Sequence, residues 1–229
     1  MSTLVQCSRQ IKTEYIFFDL DGTLTDPYEG ITKSVAYALV KFGIHIEDRA
    51  VLKCFIGPPL NECFMEKYSL SLQDSFRAVD YFREYFSVKG IFENKVFDKI
   101  PELLEKLNNS GYKLVVATSK PTVFANKILE KFDLKKYFCG VYGSELDGER
   151  VHKSDVIKYA IKDLHIDNPD KIIMIGDRKH DILGAKQSSI KSVGVLWGYG
   201  SPEELTESGA DYICEAIENL EALLVNGDE

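Results

Sequence analysis

The feature that most constrains this chain is a series of short apolar runs, rich in β-branched and aromatic residues, each ending in a small or polar residue. They are YIFFDLDG (15–22), KLVVATSK (113–120), GVYG (140–143), KIIMIGD (171–177) and KSVGVLW (191–197). The runs are nearly continuous rather than alternating, as in strands covered on both faces. DYIC (211–214) is the candidate for a sixth. Helical patterns separate the later runs. PELLEKLNNSG (101–111) has Pro101 near its start and Gly111 just past its end. TVFANKILEKF (122–132) follows, then SDVIKYAIKDL (154–164), with Val156, Ile157, Ala160, Ile161 and Leu164 on one face. Strand alternating with helix predicts an α/β core with a doubly wound, Rossmann-like parallel sheet.

The gap between the first and second runs is too long for one crossover. From Asp26 to Phe97 only helices are expected: GITKSVAYALVKFG (30–43), a turn at GPP (57–59), and DSFRAVDYFREYFS (74–87). The reading is an all-helical cap, 26–96, inserted into a catalytic core of 1–25 plus 97–229. Its aromatic stripe, Phe76, Tyr81, Phe82, Tyr85 and Phe86, is expected to be cap core rather than a stacking surface. A chain of 229 residues buries roughly 70% of its unfolded surface, so it needs no disulfide or zinc staple. Its five cysteines (Cys7, Cys54, Cys63, Cys139, Cys214) are odd in number and lack C-x-x-C spacing, which reads as free thiols in a reducing compartment.

No apolar run approaches the ~18 residues that span a membrane, and MSTLVQCSRQIK has neither a basic nor an apolar region of an export signal. A charge of −8 argues against nucleic-acid binding, which needs a basic excess. The expected form is a cytoplasmic monomer or weak dimer, with an end, NGDE, that frays.

Ligands of such sheets bind outside the carboxyl ends of the strands. There the first run ends in Asp19-Leu-Asp21-Gly22-Thr23, and the fourth in Gly176-Asp177-Arg178-Lys179-His180-Asp181. Like charges a few ångströms apart repel by ~1 kcal/mol in water and ~4 at an effective dielectric near 20. Four aspartates at one sheet edge, without histidine or cysteine spacing, therefore imply a hard cation, and magnesium is the natural choice. Thr118-Ser119-Lys120-Pro121 places hydroxyls and amides just before a helix, an anion-binding arrangement, and Lys153 opens another helix. The set suits phosphoryl transfer through an aspartyl-phosphate. D-x-D-G-T has a chance count of roughly 0.003 at this length; G-D-x-x-x-D alone is weak, and Asp21 or Asp177 taken singly is as readily a helix cap or a turn former.

These residues resemble the haloacid dehalogenase-like hydrolase superfamily, whose four motifs occur in order as Asp19 to Thr23, Thr118, Lys153, and Asp177 to Asp181. FDLDGTLTDPYEGITKSV, FIGPPL, KGIFENKVFDKIPELL, GSELDGERVHKSDVI and LWGYGSPEEL are similar to its branch of phosphoglycolate phosphatases and 5′-nucleotidase-like phosphatases. The resemblance implies that Asp19 attacks phosphorus and that Asp21 protonates the leaving oxygen, then activates water. It implies magnesium held by Asp19, the backbone carbonyl of Asp21 and Asp177, with Asp181 in support through water or an outer bond. Thr118 and Ser119 would contact the phosphate, and Lys153 the Asp19 carboxylate and the phosphoryl oxygens. Asp21 favours a phosphatase or phosphomutase over dehalogenases and P-type ATPases, which lack a carboxylate there.

Three departures stand out. His152-Lys153-Ser154 replaces the usual lysine–proline, Ser119 replaces a common asparagine, and Arg178-Lys179-His180 is unusually basic, with His180 expected to be a solvated loop residue. With a net charge of −8, capture of an anionic ester must rest on local cations: Lys120, Lys153, Arg178, Lys179 and the metal. The leading expectation is a phosphomonoesterase for a small phosphate ester, a 5′-nucleotidase-like activity being slightly favoured over phosphoglycolate phosphatase. A sugar phosphomutase and a non-catalytic phosphorylated module are the alternatives.

Overall fold

The computed structural model describes residues 13–225. The expectations for MSTLVQCSRQIK, for Cys7 and for the NGDE end lie outside them. In chain order the first elements are β1 (Tyr15–Phe18), β2 (Thr25–Asp26), α1 (Tyr28–Val40), α2 (Leu60–Tyr68), α3 (Leu72–Phe86) and β3 (Lys95–Val96). There follow α4 (Ile100–Asn109), β4 (Lys113–Pro121), α5 (Thr122–Lys131), β5 (Phe138–Ser144) and α6 (Lys153–Asp163). The chain continues through β6 (Ile172–Gly176), α7 (Lys179–Gln187), β7 (Lys191–Val195), α8 (Pro202–Ser208), β8 (Tyr212–Cys214) and α9 (Ile217–Val225).

Six strands form one parallel sheet in the order β5-β4-β1-β6-β7-β8, so DYIC does supply the sixth. This is the doubly wound α/β fold expected. Strand alternation explains why the runs read as continuously apolar. Ile16 and Phe18 face one layer, with Leu103, Leu107 and Ile128 of α4 and α5, whereas Phe17 faces Val156, Ile157, Ala160 and Ala185 of α6 and α7. The chain winds outward from β1 to β4 and β5, then returns to β6, which places a crevice at the carboxyl end of β1.

The expectation of helices alone between Asp26 and Phe97 is corrected at its two ends. There β2 and β3 pair antiparallel, Thr25 with Val96 and Asp26 with Lys95, as a two-stranded ribbon where the chain leaves the core and returns. Strands this short carry no periodicity, which is why the pattern hid them. Between them α1 and α3 pack through Val35, Ala38, Leu39, Ala78, Phe82 and Phe86, continuous with the core beneath. Among the described residues the four cysteines are free thiols, and no helix is long and apolar enough to cross a membrane.

Candidate active site

Strand β1 stops at Phe18, which pairs with Val116 on one side and Ile175 on the other. Asp19 therefore emerges level with Ala117 of β4 and with Gly176, the last residue of β6. The chain then turns sharply, with the Leu24 and Thr25 amides both donating to the Leu20 carbonyl at 3.0 Å. Gly22 sits at φ +89°, and a Cβ there would lie 2.3 Å from Asp177 Oδ2. Only glycine permits both the turn and that approach.

Two lysines divide the carboxylates between them. Lys153 Nζ donates to Asp19 Oδ1 at 2.7 Å and to the Ala117 carbonyl at 2.9 Å, and lies 2.8 Å from Asp181 Oδ1. Lys120 Nζ lies 2.5 Å from Asp21 Oδ2. The second Asp21 oxygen, Oδ1, is buried without a hydrogen-bond partner. Asp177 accepts from the Thr23 hydroxyl at 3.2 Å and from the Tyr199 amide at 2.8 Å. The Asp181 Oδ2 oxygen accepts from the Arg178 amide at 3.0 Å.

Asp19, Asp177 and Asp181 offer oxygens that all lie within 4.8 Å of one another. Three buried carboxylates against the one ammonium of Lys153 leave two negative charges, the complement of one divalent cation. Burial, reinforced by the charges of Asp181 and Asp19, pushes the Asp177 carboxyl well above its usual range. Burial likewise pushes Asp181 up to about 6, against the pull of Lys153. Burial draws the Lys153 ammonium down, but Asp181 and Asp19 more than offset this and hold it high. An all-oxygen donor set under this electrostatic load fits magnesium. The Asp21 side chain stays with Lys120, outside the acidic group. Burial raises its carboxyl and the Lys120 charge opposes the rise.

Thr118 is buried at the end of β4, and its hydroxyl oxygen accepts from the Lys120 amide at 3.3 Å, leaving its O–H to donate elsewhere. Ser144 Oγ donates to the Ser119 carbonyl at 2.8 Å and fixes that loop against β5. Asp19, Asp21, Thr118, Ser119 and Lys120 line the floor of one cleft of about 350 Å³; its opposite wall is α3 with the start of α2. The aromatic stripe splits. Tyr81 packs on Phe42 and Tyr85 on Tyr37, toward α1, whereas Phe82 and Phe86 stack at 5.1 Å and edge the cleft. Phe76, expected in the cap interior, is 54% exposed and lines the cleft.

Residues 16–195 match the haloacid dehalogenase-like hydrolase family. The chain belongs to that family. It is 47% identical over 209 residues, 91% of this chain and 94% of the relative, to a 5′-nucleotidase of Pseudomonas aeruginosa. The crystal structure of a predicted phosphatase from Clostridium acetobutylicum superposes with a TM-score of 0.91 at 50% identity, covering 93% of this chain and 99% of that one. Tyrosine-protein kinase PtkA of Mycobacterium tuberculosis is 34% identical over 204 residues, 89% of this chain and 69% of PtkA.

In this haloacid dehalogenase-like hydrolase the basic loop differs from expectation. Arg178 is spent elsewhere: Nε donates to Glu204 at 2.9 Å and a terminal nitrogen to the Ile56 carbonyl at 2.6 Å. It braces the Asp177–Asp181 loop against α8 and the helical segment, so it adds little field for an incoming anion. Lys179 is exposed, and neither it nor His180 lines the cleft. Burial and the charges of Arg178 and Lys179 push His180 down to about 4, so it is a neutral, half-buried side chain rather than a solvated one. The LWGYG stretch supplies braces that its sequence did not announce. Trp197 Nε1 donates to the Thr23 carbonyl at 3.0 Å, and the Tyr199 hydroxyl donates to Asp26 of the ribbon. Its two glycines were the available signal: a Cβ at Gly198 would sit 2.4 Å from Asp177 Cβ.

Proposed function

We propose that this hydrolase is a magnesium-dependent phosphomonoesterase working through an aspartyl-phosphate, with 5′-mononucleotides as its substrates. The observation that carries the chemistry is the division of the two lysines. Lys153 holds one oxygen of Asp19, directing the carboxylate as a nucleophile, while Asp21 keeps an unpartnered buried oxygen beside it. In the first step an Asp19 oxygen bonds to phosphorus as the ester P–O bond breaks, and Asp21 gives its proton to the leaving oxygen. In the second, Asp21 takes a proton from water, whose oxygen bonds to phosphorus, and the Asp19–phosphorus bond breaks to release phosphate. Thr118 and the Ser119 loop would hold the phosphoryl oxygens, with Lys153 opposing their charge. Asp19, Asp177 and the Asp21 backbone carbonyl would hold magnesium, with Asp181 behind them, and the bound cation would draw off negative charge from the phosphoryl group.

The leaving group is read from the opposite wall. Phe76, 54% exposed on that wall, presents its ring to the cleft, backed by the buried Phe82 and Phe86, and a half-exposed ring there suits a nucleobase. The lining carboxylates Asp80, Glu145 and Asp147 disfavour a second anion on the substrate. One observation favours the glycolate alternative: Arg83 lines the cleft and is held by Asp80 only at 3.9 Å, which leaves its guanidinium for a carboxylate.

The test is phosphate release from 5′-mononucleotides, phosphoglycolate and sugar phosphates, with magnesium and with chelator, in the natural protein and in Asp19→Asn. Metal-dependent release from nucleotides, abolished in the variant, supports the reading. A preference for phosphoglycolate that Arg83→Met removes would favour the alternative. No release from any ester by a folded, magnesium-binding protein would sink the esterase reading, and ester consumed without free phosphate, its phosphoryl group recovered on a protein-tyrosine or sugar acceptor, would replace hydrolysis with transfer.

A further inference from the structure

Lys120 stands between the chemistry and the helical wall. Its ammonium lies 2.5 Å from Asp21 Oδ2 and 4.6 Å from the centre of the Phe86 ring. Its side chain is only 7% exposed. Phe86 belongs to α3, and its ring also meets Phe124 of α5 edge-on at 5.4 Å. A lysine ammonium has three donors and a flexible stem, so it takes its position from whatever surrounds it. Here one side is a carboxylate oxygen and the other is the negative face of an aromatic ring, an attraction that strengthens when water is excluded. The consequence falls on Asp21. With Oδ2 held by Lys120, the unpartnered Oδ1 is the oxygen left to exchange a proton.

We propose that Lys120 is a positioning residue that aims the Asp21 carboxyl, and that it holds this position only while Phe86 of the helical wall covers it. The proposal rests on the reading of Asp21 as the acid that protonates the leaving oxygen. It ties closure of the helical segment to proton transfer: with Phe86 withdrawn, water reaches the ammonium, Asp21 loses its fixed orientation, and the ester oxygen departs unprotonated. Closure thus selects for substrates that let α3 settle over them.

The experiment compares leaving groups. An alkyl phosphate needs the proton as its P–O bond breaks, whereas p-nitrophenyl phosphate leaves as a stable anion and does not. The rate of phosphoenzyme formation is measured for both esters by rapid quench in the natural protein, Lys120→Met, Lys120→Arg, Phe86→Leu and Asp21→Asn. Lys120→Met is expected to slow the alkyl ester ~10- to 100-fold more than the aryl ester, part of the ~10²–10⁴ that a general acid supplies. Lys120→Arg, which keeps the charge and the ring contact, is expected to recover most of the difference. Phe86→Leu, which keeps the bulk but not the ring face, is expected to show a smaller loss of the same pattern. Equal losses on both esters in Lys120→Met and Phe86→Leu, while Asp21→Asn still discriminates between them, would overturn the proposal and leave the acid in place. Failure of Asp21→Asn to discriminate would instead overturn the reading of Asp21. If Lys120→Met does not fold, Phe86→Leu and Lys120→Arg decide the matter alone.

Discussion

At the floor of the cleft and just beneath it, Asp19, Asp21, Asp177 and Asp181 are each at most 6% exposed, and lysines, backbone amides or a hydroxyl hold them in place. On the opposite wall, Phe76 is 54% exposed and Arg83 has only a distant carboxylate for company. The floor is a lattice of charges in which each position constrains the next, and removal of one member leaves the others buried and unpaired. The wall is ring surface on a helix anchored through its other side; except at Phe86, whose ring covers Lys120, a change there alters what is touched without disturbing the charges below. Chemistry that must be kept is built from groups that cannot be exchanged singly, whereas selectivity rests on surface that can.

The largest expected break in this contrast is Lys153→Met. It removes the ammonium shared by Asp19, Asp181 and the Ala117 carbonyl. Breaking a buried pair by deleting one partner costs roughly 3–5 kcal/mol, and deleting one group that opposes developing charge lowers kcat by on the order of 10²–10³. Thermal unfolding and steady-state kinetics should therefore fall together in this variant. A large loss of kcat with unchanged melting would show that the floor is not the interlocked lattice described.

What was legible in the sequence follows the same division. Asp19, Asp21, Asp177 and Asp181 could be named because each lies at or just beyond the end of an apolar run, and a parallel sheet brings such ends to one edge. Lys153 could be named because it opens a helix in the expected order. The partner of Lys120 could not be read, since β4 gives the direction of a side chain but not what crosses toward it. Arg178 was misjudged for a related reason: its partners Ile56 and Glu204 lie 122 and 26 residues away, and no local pattern joins them. Phe76 was misplaced because helical period marks the apolar face of α3 without saying where α1 stops covering it.

A second break uses acid and metal instead of substitution. Asp181 titrates at about 6 in the folded chain against 3.8 for its ordinary value, and Asp177 is raised in the same direction. Between those values the folded state holds the Asp181 proton that the unfolded state has released, so its contribution is present below pH ~4 and is lost as pH rises through about 6. The metal-free protein should lose on the order of 2–3 kcal/mol of stability through this window. Ligation needs the deprotonated carboxylates, so the rise in melting temperature on adding magnesium should be larger at pH 8 than at pH 5. Melting curves with magnesium and with chelator at the two pH values check this, and a gap that narrows with pH would contradict the electrostatic account of the floor. Phe76→Ala should leave the gap unchanged.

The smallest effect belongs to the wall. Stacking of a base on an aromatic side chain is worth roughly 1–3 kcal/mol by alanine substitution. The half-exposed Phe76 should sit at the lower end, which raises KM for a 5′-mononucleotide about tenfold. Because Phe76 touches none of the charged groups on the floor, kcat for the nucleotide and both constants for p-nitrophenyl phosphate should hold, as should melting within about a degree or two. Phe76→Trp, which enlarges the ring face, should lower KM for purine more than for pyrimidine nucleotides, a ranking that a purely steric wall would invert. If Phe76→Ala instead lowered kcat for both esters alike, selectivity and chemistry would share one structure, and the contrast between floor and wall would fail at the residue chosen to represent it.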